Sequence, residues 1–464
     1  MMDLLAQHDS GRAALVDTRD SSELSYGELA ERVTEAAGLL RRHLERGLVF
    51  LATTTTPESV ILYLACLEAG SPVCLLDPAA PTDRLIGSFA PDALLLPAPA
   101  ESPAGFSPAA DPFPGKYRMF TSDTRQPRTF HPDLALLLTT SGSTGSPKLV
   151  RLTRRNLLSN AASIAEYLGI TPDDRDVLSL PMHYSYGMSL INSNLLAGAS
   201  VALTAWSFLE APFWPAFTAT KCTSFAGVPY VYETLARLRF EPSRYPTLRT
   251  MTQAGGALRP DLTRLFREKA AAAGKRLFVM YGQTEASPRI SYVPWERLGE
   301  KIGSIGIAIP GGRLDLEPVE GMSAQELIYS GPNVMMGYAS AAEDLARGDT
   351  QQGKLRTGDL AERDSEGFYY LRGRLQRFAK LFGKRISLED VELDLERTHA
   401  VSVVVVERGQ GLHIFVAGHA QVEPAAIALG LARQLNVPPG SIGIESLAAL
   451  PLTSTGKKDY KALA

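Results

Sequence analysis

Short uninterrupted apolar runs alternate with helical patterns along most of this chain, and that alternation restricts its fold more than any other feature. LSYGELAERVTEAAGLLRRHL places Leu29, Val33, Ala37 and Leu40 at helical spacing behind Ser25 and Glu28, which are spaced as a capping box. The runs LVFLATTT and PVCLLDP flank VILYLACLEAG, which reads as a helix closing on Gly70. Apolar runs without a polar alternate belong to strands covered on both faces, so an α/β architecture is predicted. The alternation returns at VALTAW, FAGVPY, RTMTQAGGA and LFVMYGQTE. Residues 303–340 read as short strands with tight turns. The tail, with VSVVVVE and LHIFVAGH around amphipathic helices, reads as a small α+β unit joined near 374–377. Residues 95–130, rich in Pro, Ala and Ser and weakly periodic, read as a surface excursion.

Length and composition bound the rest. A chain of 464 residues, 45% hydrophobic and 21% charged, is an ordinary globular composition and long enough for two to four units. With 47 Lys plus Arg against 50 Asp plus Glu, the formal charge of −3 gives no global reason to expect nucleic acid or an anionic membrane as a partner. Cys66, Cys74 and Cys222 form no CxxC pair and read as small buried hydrophobes in a reducing compartment. The N-terminus lacks a signal-peptide pattern and no window reaches the ~18 apolar residues of a membrane span, so a cytoplasmic protein is expected.

The most informative stretch is the strand LALLL running into Thr139-Thr140-Ser141-Gly142-Ser143-Thr144-Gly145-Ser146-Pro147-Lys148. Glycines and hydroxyls in such density let backbone N–H and side-chain O–H groups converge on phosphate oxygens, with Lys148 as a point charge. It is not a P-loop of the G-x-x-x-x-G-K-S/T type, because Gly142 and Gly145 are too close and Leu149 follows the lysine. No strand-linked G-x-G-x-x-G for a dinucleotide is present either.

TTSGSTGSPK resembles the phosphate-loop signature of adenylate-forming enzymes, the superfamily of acyl- and aryl-CoA synthetases, peptide-synthetase adenylation domains and luciferases. Further signatures follow in that family's order. Gln253-Ala254-Gly255-Gly256-Ala257 resembles its adenine-binding turn, and Tyr281-Gly282-Gln283-Thr284-Glu285 its YGxTE motif. Glu326-Leu327, Gly331-Pro332-Asn333-Val334-Met335 and Gly337-Tyr338 resemble its GEL, GPxxM and GY segments. Thr357-Gly358-Asp359, Gly373-Arg374 and LPLTSTGK, ending at Lys457, complete the set, so the resemblance covers about residues 24–460. It implies an N-terminal adenylation core, 1–375, of layered α/β subdomains plus a β-rich subdomain, and a mobile α+β cap, 376–464.

The resemblance also assigns roles. The family's reaction joins a carboxylate to the α-phosphorus of ATP, giving acyl-AMP and pyrophosphate, and then passes the acyl group to a thiol. The loop from Thr140 through Ser141, Gly142, Ser143, Thr144 and Gly145 to Lys148 would hold the β- and γ-phosphates. Thr284 would donate to the α-phosphate, and Glu285 would hold Mg2+, which suits one carboxylate supplemented by waters and phosphate oxygens. Tyr281 would stack on adenine, Gly255, Gly256 and Ala257 would approach its edge, and Gly282 and Gln283 belong to the same site. Asp359 would accept from the ribose diol and Arg374 would reach ribose or phosphate. Lys457 would bridge the α-phosphate and the attacking carboxylate as charge develops, while Lys458 reads as a solvated neighbour. In the second step the cap would rotate and bring the loop of Lys380 and Gly383 to the thiol acceptor.

Two departures stand out. The family's hinge GRxKD is matched here by Gln376 and Arg377, so a cation replaces the acidic pivot. The region Leu203–Phe208 offers no Asp for a substrate ammonium, and Ser185 stands where relatives activating 2-hydroxybenzoate carry Asn, so α-amino acids and salicylate-type acids are disfavoured. His183, Tyr184, Ser185, Gly227, Val228, Tyr230 and Ala254 are the expected acid pocket. The sequence thus predicts an AMP-forming carboxylate:thiol ligase that uses ATP and Mg2+, an aliphatic or aryl acid, and CoA or a separate carrier protein's phosphopantetheine. The alternatives are a non-catalytic nucleotide- or acyl-binding protein on the same fold and a ligase that stops at acyl-AMP.

Overall fold

The computed structural model describes residues 7–80, 82–125, 127–139, 148–319, 325–375, 377–381, 384–399, 401–409, 411–417, 423–435, 437–453, 458–460 and 462–463. Among these residues the body is built on two large sheets. One has nine strands, with a parallel centre made by Ala13–Asp17, Ser200–Leu203, Arg175–Leu178, Ser224–Gly227, Thr250–Gln253 and Arg276–Gly282. The other has eight, with Ala93–Pro97, Val49–Ala52, Val73–Leu76 and Leu134–Thr139 parallel at its centre. The α/β class expected from the alternating pattern is the class observed.

Period-two alternation explains why these runs are apolar throughout. Leu15 and Leu178 face the core between the sheets, whereas their neighbours Val16 and Val177 face a second core outside the first sheet. Val49 and Leu51 likewise face inward while Phe50 packs outward with Cys74, Phe89 and Phe120. Two helices lie wholly inside this sandwich. Pro57–Ala69 is buried from Glu58 to Leu67 and Ser185–Leu196 from Ser185 to Leu195, which is why neither shows a polar stripe. The capping box at Ser25 and Glu28 forms, and Gly70 closes its helix in the left-handed conformation with its N–H on the Cys66 and Leu67 carbonyls. All three cysteines are buried, and burial pushes the Cys222 thiol up to about 12.

The Pro-rich stretch 95–130 departs from its predicted role. It supplies the strands Phe106–Phe113 and Tyr117–Ser122, which extend the eight-stranded sheet at its edge. An edge strand tolerates Pro108 because one side of its backbone has no ladder to complete, and its half-wet face hides the alternation from a periodicity search.

Residues 313–374 form the four-stranded antiparallel sheet Arg313–Pro318, Gln325–Ser330, Lys354–Arg363 and Tyr369–Arg374. Beyond it, a core of Ala379, Leu381, Ile386, Val391, Leu395, Val403, Val405, Ile414, Leu431 and Ile442 draws only on the tail. Its strands Ser402–Arg408, Gly411–Ala417 and Ile442–Leu447 carry the helices Leu388–His399 and Pro424–Leu435. Among the described residues no helix is long and apolar enough to cross a membrane.

One buried carboxyl gives the body a pH dependence. Asp176, on the strand Arg175–Leu178, is pushed up to about 7 by burial, and among the described residues its Oδ1 has no partner. Between pH ~4, where an unfolded aspartate loses its proton, and pH ~7, the folded chain binds one proton more, so this site's contribution to stability falls as pH rises. Asp176→Asn cannot ionise and should gain about 1–3 kcal/mol over the parent at pH 8 but not at pH 4, read by denaturant titration.

Candidate active site

The site forms where parallel strands end. Arg175–Leu178, Ser224–Gly227, Thr250–Gln253 and Arg276–Gly282 are parallel and adjacent, so their C-terminal ends release residues 183–185, 228–230, 254–257 and 283–285 along one edge. Open parallel sheets place ligands at that edge. Motifs separated by a hundred residues meet there: Ser185 Oγ lies 3.2 Å from Thr284 Oγ1. Gly255, at φ +85°, turns the chain so closely past Tyr184 that an added Cβ would stand 2.5 Å from Tyr184 Oη and 3.1 Å from Val228 Cγ1. Ala254 and Tyr184 are buried beside it, and burial pushes the Tyr184 hydroxyl up to about 12, so it stays neutral at physiological pH. Gln253 braces the turn by donating to the Gly256 carbonyl at 2.8 Å.

Asp359 is the hub of the second cluster. It is 2% exposed, and its Oδ2 accepts from the Tyr281 hydroxyl and from Gln283 Nε2 at 2.8 Å, while Oδ1 meets Arg374 Nε at 2.7 Å. An ionised carboxylate offers about four acceptor positions, so these three contacts leave about one for a further donor. The Tyr281 hydroxyl is raised by burial and by that carboxylate, so it donates rather than ionises. The neighbouring strands carry the hub. Thr357 Oγ1 donates to the Leu327 carbonyl at 2.7 Å, and the Gly358 N–H donates to Glu326 Oε1 at 3.2 Å. The GEL and TGD segments therefore act as one unit although some thirty residues separate them.

The third cluster surrounds Glu285. Its Oε1 accepts from the Tyr338 hydroxyl at 2.7 Å, and Lys148 Nζ lies 5.9 Å from the centre of the Tyr338 ring. Asn333 fastens the turn behind it, donating to the Ala286 carbonyl at 2.6 Å and the Arg289 carbonyl at 2.8 Å. Gly282 is required here, since a Cβ would fall 2.0 Å from the Pro288 carbonyl oxygen.

Several expected residues sit elsewhere. His183 turns toward the second sheet, with Nδ1 3.3 Å from Thr53 Oγ1 and Nε2 3.8 Å from Asp77 Oδ2, and burial lowers its pKa more than Asp77 raises it. Tyr230 is exposed on the first turn of the helix Pro229–Arg237. Gly227, by contrast, stays with the cluster: it pairs with Gln253, and its carbonyl accepts from the Ala254 N–H at 3.3 Å. Thr140, Ser141, Gly142, Ser143, Thr144, Gly145, Gly383 and Lys457 lie outside the described residues, as does the side chain of Lys380.

The cation at the expected hinge has a structural partner. Arg377 pairs with Glu392 at 2.7 Å, donates to the Val405 carbonyl at 3.0 Å and lies 4.0 Å over the Tyr460 ring. Lys458, expected to be solvated, is tied down instead, at 2.6 Å from Glu396, 2.6 Å from the Val403 carbonyl and 3.7 Å from Glu392. Leu452 pairs with Lys458 across a short bridge, so the chain on either side of residues 453–457 is clamped. Arg377→Asp would set two carboxylates together and should lower tail stability by about 1–3 kcal/mol, measured by calorimetric melting.

Tyr338, Asn333 and Arg289 were not singled out as site residues from the sequence. The first two fall within segments already quoted for their motif, and that was the available signal. Arg289 carried none.

A family model described as AMP-binding enzyme matches residues 4–339. A feruloyl-CoA synthase from Amycolatopsis sp is 30% identical over 57% of this chain and 54% of its own length. A sulfoacetate–CoA ligase from Cupriavidus necator is 30% identical over 70% of this chain and 65% of its own. The chain thus spans about half to two thirds of the length of these curated relatives. The solved o-succinylbenzoate CoA synthetase of Bacillus subtilis, bound to its acyl-adenylate, superposes with a TM-score of 0.77 at 23% identity, covering 98% of this chain and 96% of that one.

Proposed function

Because this chain belongs to the AMP-binding enzyme family, we propose that it activates a carboxylic acid with ATP as acyl-AMP and then transfers the acyl group to a thiol. The observation that carries this reading is the junction of Ser185 with Thr284 beside the Asp359 hub, because it sets an acid-binding segment against a hydroxyl donor and a nucleotide anchor. A carboxylate oxygen attacks the α-phosphorus, the bond to pyrophosphate breaks, and negative charge builds on the phosphoryl oxygens. Thr284 donates there, and Lys148 and the loop before it hold the departing phosphates. Asp359 takes a ribose hydroxyl with its remaining acceptor position, Arg374 neutralises it, and Tyr281, fixed by its own hydroxyl, presents its ring to adenine. Glu285 suits Mg2+ as a single carboxylate oriented by Tyr338, and the ion would neutralise phosphate charge. Lys457 supplies the cation between the two anionic reactants.

Residues 1–375 form the adenylation core and 376–464 the cap. The tail's self-contained core and its single connection at Arg374–Arg377 support that division. The relatives named as CoA ligases favour CoA as acceptor over a carrier protein, and three buried free thiols fit the cytoplasm as the chain's compartment. An acid-by-acceptor screen reading pyrophosphate and thioester together tests the reading. Thioester formation with CoA is expected. Nucleotide binding without exchange for any acid would leave a binding protein, and acyl-AMP accumulating despite CoA and carrier protein would leave an adenylating enzyme alone.

A further inference from the structure

Arg289 is 2% exposed, and among the described residues its Nε has no hydrogen-bond partner. Its guanidinium lies 4.0 Å over the Tyr186 ring, and the nearby Tyr167 hydroxyl donates to the Met280 sulfur instead. No carboxylate of the described residues stands within ion-pair distance of it. Its backbone, by contrast, is fully engaged, with the N–H on Asn160 and the carbonyl receiving Asn160 and Asn333. A buried cation without a counter-charge is costly, and stacking on one ring recovers only part of that cost.

The groups around it do not supply the missing charge. Burial pushes the Tyr167 and Tyr184 hydroxyls up to about 12 and Tyr186 higher still, so all three are neutral near pH 7. The buried carboxyl of Asp176 holds its proton up to about pH 7. Glu285, four residues earlier, is taken by Tyr338.

The position of Arg289 identifies what would complete it. Ser185 and Tyr186 are consecutive at the start of one helix: the first reaches Thr284, at the reacting end of the site, and the second carries Arg289 on its ring. We infer that Arg289 receives a second anionic group on the acid, so that the preferred substrate is a dicarboxylic acid, activated at one carboxylate and held by the other. This rests on the acid-activation reading above. Tyr184 and Tyr186 pack edge to face, with ring centroids 6.2 Å apart.

The test compares diacids with monoacids of matched length, succinate with butyrate and adipate with hexanoate, in pyrophosphate exchange by the full chain. At least a tenfold higher kcat/KM is expected for one diacid over its matched monoacid. Arg289→Gln should remove that preference, acting mainly on the KM of the diacid, and Arg289→Lys should keep part of it. The wild-type ranking does not depend on whether a variant folds. Equal or better use of the monoacids by the wild type overturns the assignment while leaving acid activation intact. Absence of exchange with every acid overturns acid activation instead. In that event calorimetric binding of succinate or adipate decides the role of Arg289: binding to the wild type but not to Arg289→Gln upholds it, and equal binding or none overturns it.

Discussion

Lys457→Ala is expected to lower acid-dependent pyrophosphate exchange by about 10²–10³-fold, or roughly 2.7–4 kcal/mol, the loss typical of removing one donor aimed at charge that develops in the transition state. The two reactants are both anions, so the barrier includes bringing them together, and an ammonium between them acts most where the new bond is forming. The kinetics should therefore lose kcat with little change in the KM for ATP. The thioester-forming step should be spared, since the reading gives that step to a different orientation of the tail. Supplying synthetic acyl-AMP and CoA isolates it, and a rate near that of the parent is expected. Loss of both steps to the same degree would make Lys457 a structural residue. The clamp next to it supplies a control: Lys458 is held by Glu396 and Glu392, so Lys458→Ala should reduce stability as well as exchange.

Asp359→Ala should raise the KM for ATP and lower kcat/KM by about 10²-fold, roughly 2.7 kcal/mol, while leaving the KM for the acid nearly unchanged. The carboxylate is the common acceptor for Tyr281, Gln283 and Arg374, so its removal loosens three side chains at once. Part of the loss is the Tyr281 hydroxyl deprived of its acceptor, since Gln283 keeps the Thr357 carbonyl at 2.9 Å, and part the missing ribose acceptor. Because Arg374 is half exposed, solvent compensates it, and the melting temperature should fall only modestly. An equal rise in the KM for acid would mean that the substitution collapses the strand ends rather than the nucleotide anchor.

Much of this site was legible in the sequence for a physical reason. Turns at strand ends impose requirements that one residue type alone can meet. Gly255 must accept φ +85° beneath Tyr184, Gly282 must pass the Pro288 carbonyl, and Asp359 must accept from several donors at once. Such requirements leave short, ordered strings. Burial on both faces likewise left its mark as continuous apolar runs, so the two sheets and the enclosed helix Pro57–Ala69 were predictable. The strand pair at 106–122 was not, because its half-wet, Pro-bearing edge strand Phe106–Phe113 shares its composition with a loop.

The sequence by itself determined the α/β class, the order of the motifs and the residue types that nucleotide chemistry would use, since each depends on a few neighbours along the chain. The tertiary structure decided which distant groups meet. It set Tyr338 on Glu285, turned His183 toward Asp77, gave Arg377 to Glu392 and left Arg289 buried with no carboxylate of the described residues in ion-pair reach. Those outcomes depend on how strands and helices pack across separations of tens to more than a hundred residues. An isolated arginine in a sequence does not reveal whether its counter-charge lies in the protein or in the ligand.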